Sequence, residues 1–405
     1  MTDKAYIVKD NIGLAGAFLF VAGLFFSPFI LSFSLAILIL QPFFDSRIRS
    51  LINNLLKQKV VWLFLLLFAW YCIGFLYTSD VHDFLKDINL KLPYLILPLA
   101  FVSGSFKKGN SLLFILTFLN FCTFVAGTLS FINYLLHRGV YDQLIFEAKP
   151  IPIITGINHI YYSVILAFSV ISGLLIALDK KLPNLWRMIN LVLSASGLIF
   201  LHTISARTGL LGFYVSAFIL LVWRAFSSGK FRLTFIAIIL FIGAGIASLK
   251  YIEVLNNRLQ KTIEDINVYR EGGNINHYSL SMRLEYWDKT YKVFKKSPVI
   301  GVGNADVDEE SAIIYDEENS SLLPINRKNA HNQFLQLLAG TGLIGFALFL
   351  TILFFAFRNS YNKKDGIGFS FLIIVLIAFF FESLLERQVG ISFFTFFLLL
   401  HGSET

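Results

Sequence analysis

Charge is scarce in this chain: Asp, Glu, Lys and Arg make up 15% of 405 residues, while 56% are hydrophobic. A soluble domain of that length needs polar groups over most of its exterior, and too few are present, so a water-soluble globular fold is excluded. The mean hydropathy of +0.69 fits helices that meet lipid all round. Cysteine is nearly absent. The two that occur, Cys72 and Cys122, lie inside apolar runs, which excludes a disulfide framework or zinc cluster and leaves them as small packing residues. A net charge of +8 would suggest nucleic acid only if the basic residues shared a soluble face; they gather at the ends of apolar runs instead. Lys4 and Lys9 are followed by no clear small-x-small cleavage site before the next apolar run, so the first segment reads as a retained span. No internal repeat is visible, and the inverted-repeat logic of many transporters gains no support.

What the chain does have is apolar runs of membrane-crossing length, near 12–26, 28–44, 60–77, 92–105, 110–136, 158–178, 186–203, 207–226, 232–249, 331–357, 367–383 and 389–401. The expected fold is all-α: a polytopic integral membrane protein of about twelve transmembrane helices. Residues 1–249 hold spans one to nine, 250–330 form a large outward segment, and 331–405 hold spans ten to twelve. An even count puts both termini on one side. With that side cytoplasmic, every short basic loop falls there: Arg47 and Arg49, Lys107 and Lys108, Lys180 and Lys181, Arg224 and Lys230, Lys363 and Lys364.

The outward segment carries its own pattern. In residues 279–296, Leu280, Leu284, Trp287, Tyr291 and Phe294 recur at four- and three-residue steps, which predicts an amphipathic helix against the membrane surface or the bundle. Ser279 or Ser281 is positioned to cap it, and Ser297-Pro298 to stop it. A tight turn is expected at Gly301-Val-Gly-Asn304, followed by a solvated acidic loop holding Asp306, Asp308, Glu309, Glu310, Asp316, Glu317 and Glu318. The carboxylates at 306–310 match no defined calcium loop, and no metal site is expected.

Ionisable groups at a membrane boundary need a reason. Arg207 lies between two apolar runs in Ser205-Ala-Arg-Thr-Gly209; Arg283 lies on the amphipathic helix; His331 opens span ten. All three project to the outward side. Two guanidiniums there suit a membrane-anchored anion such as a lipid diphosphate, through forked hydrogen bonds. An imidazole beside them suits proton abstraction from an attacking hydroxyl. The plainer readings are a snorkelling arginine, an ordinary charge on a polar helix face and a histidine that caps a helix.

Three strings, in order, tip the balance: Ser205-Ala-Arg-Thr-Gly-Leu-Leu211; Ser281-Met-Arg-Leu-Glu-Tyr-Trp287 with Ser297-Pro-Val-Ile-Gly-Val-Gly303; and His331-Asn332, nine residues, then Gly342-Leu-Ile-Gly345. On these, residues 205–400 resemble the O-antigen ligase and polymerase superfamily of bacterial envelope glycan enzymes, closest in the His-Asn…Gly-x-x-Gly string to the ligases. The resemblance implies a multi-pass protein of the bacterial inner membrane with both termini cytoplasmic. It implies a metal-independent glycosyltransferase without cofactor, moving a glycan from undecaprenyl diphosphate to an acceptor hydroxyl, such as that of lipid A–core, at the periplasmic face. Carried over by position, Arg207 and Arg283 bind the diphosphate and His331 activates the acceptor. A polysaccharide polymerase or a protein O-oligosaccharyltransferase of the same superfamily is the alternative, and a lipid-linked glycan transporter the alternative of another class.

Secondary candidates surround that set. Asn332 belongs to the histidine string. Glu382 and Glu386, four residues apart and so on one helix face, stand with Arg387 at the end of span eleven, where they could orient an arginine or the acceptor, or close the bundle as an ion-pair cluster. His159 and Tyr161 open span six, and His202 precedes the Arg207 turn. Gly340, Gly342 and Gly345 read as close-packing positions in span ten rather than phosphate-binding glycines.

Overall fold

The computed structural model describes residues 3–44, 53, 57–102, 110–146, 151–203, 207–228, 235–236, 238–239, 242–243, 246–247 and 253–402, and every regular element among these is a helix. Among the described residues, six helices are long and apolar enough to cross a bilayer: Lys59–Leu76, Ser111–Leu136, His159–Leu178, Asn184–Thr203, Arg207–Phe226 and Gln333–Asn362. Shorter apolar helices at Asn11–Phe26, Pro28–Leu40, Gly366–Phe381 and Gln388–Gly402 fall on the first, second, eleventh and twelfth expected runs. Among the described residues the protein is an all-helical membrane protein. The ninth expected run, 232–249, and Ser205 and Ala206 of the arginine string lie largely or wholly outside the described residues.

The chain forms two compact units. One comprises residues 1–34, 105–261 and 360–378. Its centre is the helix His159–Leu178, buried along most of its length. Hydrogen bonds join its neighbours inside the apolar interior: Asn120 Nδ2 donates to Asn190 Oδ1 at 2.7 Å, Asn190 Nδ2 to Thr117 Oγ1 at 2.9 Å, and Ser169 Oγ to Asn120 Oδ1 at 2.6 Å. Lipid offers these groups no partner, so pairing them between helices is worth about 0.6–2 kcal/mol each.

The second unit comprises residues 35–104, 262–359 and 379–405. Aromatic contacts knit its apolar helices: Phe64 meets Tyr94 at 5.4 Å, Phe101 meets Phe396 at 5.3 Å, and Phe349 meets Phe394 at 5.8 Å between ring centroids. A helix with no apolar signal, Val81–Lys91, sits between the third and fourth expected runs; the Asp80 carboxylate caps it, accepting from the backbone N–H groups of His82 and Asp83.

The segment expected to face outward is helical and departs from expectation in three ways. The amphipathic helix runs over Ser279–Lys296 and ends at Ser297, but Tyr278 is its N-cap and makes no side-chain capping bond; the Asp265 carboxylate accepts from Leu280 N–H at 2.7 Å instead, and Ser281 donates to the Asp265 carbonyl. Its buried face is Ser281, Tyr286, Lys289, Thr290 and Val293, while Tyr291 of the expected stripe stays 45% exposed. Charge pairing explains the shift, because Lys289 can be buried with Glu285 at 3.1 Å and Glu318 at 2.6 Å. Burial opposes that charge, yet the surrounding carboxylates of Glu318, Glu285 and Asp288 hold the Lys289 pKa above the usual lysine value. Third, the acidic stretch is a helix, Val307–Glu317, with Asp308, Glu309 and Glu310 in its first turn, where the helix dipole favours negative charge. Asp306, just before it, is buried and accepts from Thr78 Oγ1 at 3.0 Å and Ser79 Oγ at 2.8 Å.

The histidine helix, Gln333–Asn362, breaks at Gly342, with φ 61° and ψ −168°. The expected turn fills the break: Gly301 and Gly303 take positive φ, and the segment pairs its backbone with the helix. Val302 N–H donates to Ala339 O at 2.9 Å, Gly303 N–H to Gly340 O at 3.1 Å, and Leu343 N–H to Pro298 O at 2.9 Å. Backbone groups freed by a kink at membrane depth need such partners. A Cβ at Gly340 would meet Asn304 and one at Gly345 would meet Trp70, so close packing is the role these glycines have here.

Candidate functional site

His331 stands two residues before the histidine helix with φ 44°, an uncommon backbone for a residue with a side chain. Local bonds hold it there. Asn332 Oδ1 accepts from the N–H groups of Phe334 at 3.0 Å and Leu335 at 3.1 Å, so Asn332 caps the helix, and Asn332 Nδ2 donates to Phe380 O at 3.4 Å. Asn329 Oδ1 accepts from His331 N–H at 3.3 Å. The imidazole is thereby turned toward Glu382, and His331 Nδ1 lies 3.0 Å from Glu382 Oε2. The ring of Tyr286 stacks on it, with centroids 5.7 Å apart, and Tyr286 itself is fixed by donating to Asn326 O.

This arrangement assigns the two ring nitrogens different work. A carboxylate only accepts, so Nδ1 carries the hydrogen and neutral His331 presents the Nε2 lone pair. Among the described residues Nε2 has no partner. The pair is not sealed: the side chain of His331 is 22% exposed and that of Glu382 8%. A carboxylate at Nδ1 also stabilises the imidazolium that forms once Nε2 takes a proton, as in catalytic Asp–His pairs.

Arg283, on the amphipathic helix, shares this neighbourhood. Burial lowers its pKa, and the charges of Glu382, Tyr286 and Asp265 act against that. Among the described residues its guanidinium has no ion pair and no hydrogen bond. A desolvated guanidinium without a carboxylate in its fork is set up to take an anionic ligand.

Glu382 and Glu386 do not share a helix face. The helix ends at Phe381, and Leu384–Glu386 form a short 3-10 turn, so the two carboxylates diverge. Glu386 enters a buried cluster that the sequence did not reveal. Its Oε2 accepts from Lys91 Nζ at 2.7 Å and from Asn304 Nδ2 at 3.0 Å, and its Oε1 from Gln333 Nε2 at 3.1 Å. Burial works to raise its pKa, but Lys91 and the two amides hold it below the ordinary value. Asp87, 3.8 Å from Lys91 Nζ, receives the second Asn304 bond at 2.8 Å. Burial and the Glu386 charge push Asp87 up to about 6 despite Lys91. The sequence did hold one signal: Asp87 and Lys91 are an i,i+4 pair at the mouth of an apolar run.

The Asp87 shift gives a signed expectation. Its pKa is higher folded than unfolded, so its contribution to stability is present at acid pH and is lost as pH rises through about 6. Glu386, shifted the other way, acts only below that window. The melting temperature of Asp87→Asn is expected to fall less than that of wild type between about pH 5 and about pH 7.5; parallel curves would contradict the assignment.

The other expected site residues divide by unit. Arg283, His331, Asn332, Glu382, Glu386 and Arg387 belong to the second unit, whereas Arg207, His159, Tyr161 and His202 belong to the first. Arg207 is exposed and begins the helix Arg207–Ser228. His159 begins its helix behind the Asn158 cap, and Tyr161 is buried. His202 Nε2 is 2.7 Å from the phenol oxygen, Oη, of Tyr214. Arg387 is exposed and forms no ion pair among the described residues. No three His, Cys, Asp or Glu side chains among the described residues are disposed to hold a metal ion.

Comparison with known proteins agrees with the strings. The family model described as O-antigen ligase matches residues 189–350, a segment containing Arg207, Arg283 and His331 and ending before Glu382. An uncharacterized protein of Haemophilus influenzae is 30% identical over 160 residues. That similarity covers 38% of this chain and 39% of the relative, so the chain spans about two-fifths of the relative's length.

Proposed function

We propose, from the premise that residues 189–350 belong to the O-antigen ligase superfamily, that this protein transfers a glycan from undecaprenyl diphosphate to an acceptor hydroxyl, with lipid A–core as the first acceptor to test. The observation that carries the reading is the His331–Glu382 pair at 3.0 Å, with Nε2 open and an unpaired Arg283 beside it. In this scheme the acceptor O–H gives its proton to His331 Nε2 as its oxygen attacks the anomeric carbon. The bond from that carbon to the diphosphate oxygen breaks, and undecaprenyl diphosphate leaves carrying the electron pair. Attack from the face opposite the leaving group inverts the anomeric centre. Arg283 binds the departing diphosphate, whose charge grows in the transition state; the second guanidinium that the resemblance implies is that of Arg207. Glu382 holds the imidazole and stabilises its charged form.

The membrane setting follows the same reading. Twelve spans in the bacterial inner membrane, with both termini cytoplasmic, put residues 250–330 and His331 at the periplasmic face; the support is the basic residues of the short loops.

The site is tested by mixing the reconstituted protein with an undecaprenyl-diphosphate glycan and purified lipid A–core, and following the acceptor by gel shift. Longer lipid-linked chains without a shifted acceptor would make the protein a polymerase. Arg283→Lys keeps the charge but loses the fork. It is expected to lower kcat/KM for the donor by about 10- to 100-fold, the range for losing a hydrogen bond to a charged group. An unchanged kcat/KM would remove Arg283 from the donor site.

A further inference from the structure

The strip of chain carrying Glu382 is held by two rungs, and only one of them does chemistry in the reading above. The first rung is His331 Nδ1 to Glu382. The second lies two residues along one segment and three or four along the other. Gln333 Oε1 accepts from Leu385 N–H at 2.6 Å while its Nε2 donates to Glu386. Between the rungs Glu382 and Ser383 link the end of the helix Gly366–Phe381 to the 3-10 turn Leu384–Glu386, so Glu382 lies outside both. Lys91 stands behind the second rung: its Nζ donates to Leu385 O at 3.0 Å and to Glu386 Oε2 at 2.7 Å. Its side chain is fully buried. Gln333 and Lys91 thus grip the Leu385–Glu386 step from both sides.

A buried lysine needs a reason, because taking its charge out of water is expensive. This one is matched by Glu386 and Asp87, which share the amide of Asn304. Without the ammonium, two carboxylates would face each other across one amide with no cation, and the Leu385 carbonyl would lose its donor. Glu386 would then take a proton or admit water, Gln333 would lose a charged acceptor, and the turn from Glu382 to Glu386 would no longer be fixed. Asn332 Nδ2, donating to Phe380 O at 3.4 Å, ties the near end of that turn to the histidine helix; Gln333 and Lys91 hold its far end.

We propose that Lys91 is a positioning residue for the transfer reaction: it clamps the Leu385–Glu386 step to Gln333 and so keeps Glu382 on His331 Nδ1. The proposal rests on the reading of His331 as the base. It places part of the working site in residues 81–91, outside the segment that matches the ligase family. Outer groups that orient a histidine through its hydrogen-bond partner affect activity by about 10- to 100-fold in metal sites, and a change of that order is expected here.

The test is a double-mutant cycle on the reconstituted full-length protein, with folding of each variant followed by its melting temperature in detergent. Lys91→Met is expected to lower kcat by about 10- to 100-fold with the donor KM changed by less than about twofold. In a Glu382→Gln background the same change should lower kcat by less than about threefold, because the carboxylate it positions is already gone. Where Lys91→Met fails to fold, Asp87→Asn/Lys91→Met removes one of the stranded charges and is carried through the same cycle. An equal loss in both backgrounds, or a wild-type kcat in Lys91→Met beside an inactive His331→Ala, overturns the positioning role alone. A His331→Ala protein that still turns over overturns the base assignment and this proposal together.

Discussion

His331→Ala is expected to reduce transfer by about 10²–10⁴-fold, the range that a positioned general base contributes. The loss should fall on kcat, with donor KM nearly unchanged, because in the proposed reaction the imidazole meets the acceptor proton and Arg283 the diphosphate. The geometry makes the expectation specific to one nitrogen. Glu382 occupies Nδ1 at 3.0 Å, so the chemistry needs Nε2, and Glu382→Gln should reproduce much of the loss while leaving the histidine in place. An amide at that position can donate to the ring and favour the other tautomer, the failure seen when the carboxylate of a catalytic Asp–His pair becomes an amide. The check is single-turnover transfer at saturating donor. A His331→Ala protein retaining more than about a tenth of wild-type kcat would exclude a general-base role of the size given above.

Gly342→Ala should be the most damaging change to the fold. Residue 342 has φ 61° and ψ −168°, a region essentially closed to residues with a side chain, where strain costs about 1–3 kcal/mol. An added Cβ would also lie 2.3 Å from the carbonyl oxygen of Val299 and 2.5 Å from the nitrogen of Gly301. These are hydrogen-bonded backbone atoms, Val299 O accepting from Ile344 N–H of the helix at 3.3 Å and Gly301 N–H donating to Ser297 O at 2.9 Å, so they cannot turn aside, and overpacking adds about 1–3 kcal/mol more. The variant is expected to accumulate poorly in membranes, and what is recovered should melt well below wild type. Gly345→Ala is the milder comparison, because the nearest atoms there are side-chain atoms of Thr341 and Trp70. A Gly342→Ala protein as stable as wild type would contradict the pairing of 298–303 with the broken helix. That pairing matters for the site because the same segment delivers Asn304 to Glu386.

The contrast between those residues explains what the sequence could reveal. Hydrophobic runs announced the membrane helices, since a lipid-facing span depends on local composition. Ser297-Pro298 marked the end of the helix Ser279–Lys296, and the glycines at 301 and 303 marked the turn, because both depend on backbone preferences of the residues themselves. The resemblance picked out His331 and Arg283 as ordered strings. The buried face of the amphipathic helix was not legible: its apolar stripe pointed to Leu280 and Trp287, while ion pairs made Lys289 a buried residue. The acidic helix Val307–Glu317 was hidden because its carboxylates masked a short apolar face containing Ile314.

The supports of the site were the least legible part. Lys91 and Glu386 are 295 residues apart in the chain, and no period or spacing connects them. Glu382 and Glu386 looked like one helix face because the helix was expected to continue; it stops at Phe381, and each carboxylate finds its own partner. Periodicity identifies which elements form, but a pairing between distant polar side chains emerges only when the elements pack.

The measurement that bears most directly on the account is acceptor modification by the reconstituted wild-type protein, run beside His331→Ala and Arg283→Ala, with an undecaprenyl-diphosphate glycan and lipid A–core supplied. The account predicts a glycan-shifted acceptor with wild type and none with either variant, all three proteins melting alike. A shift that survives in both variants, or no turnover of the donor by the folded wild-type protein with lipid, glycan or protein acceptors, would contradict it.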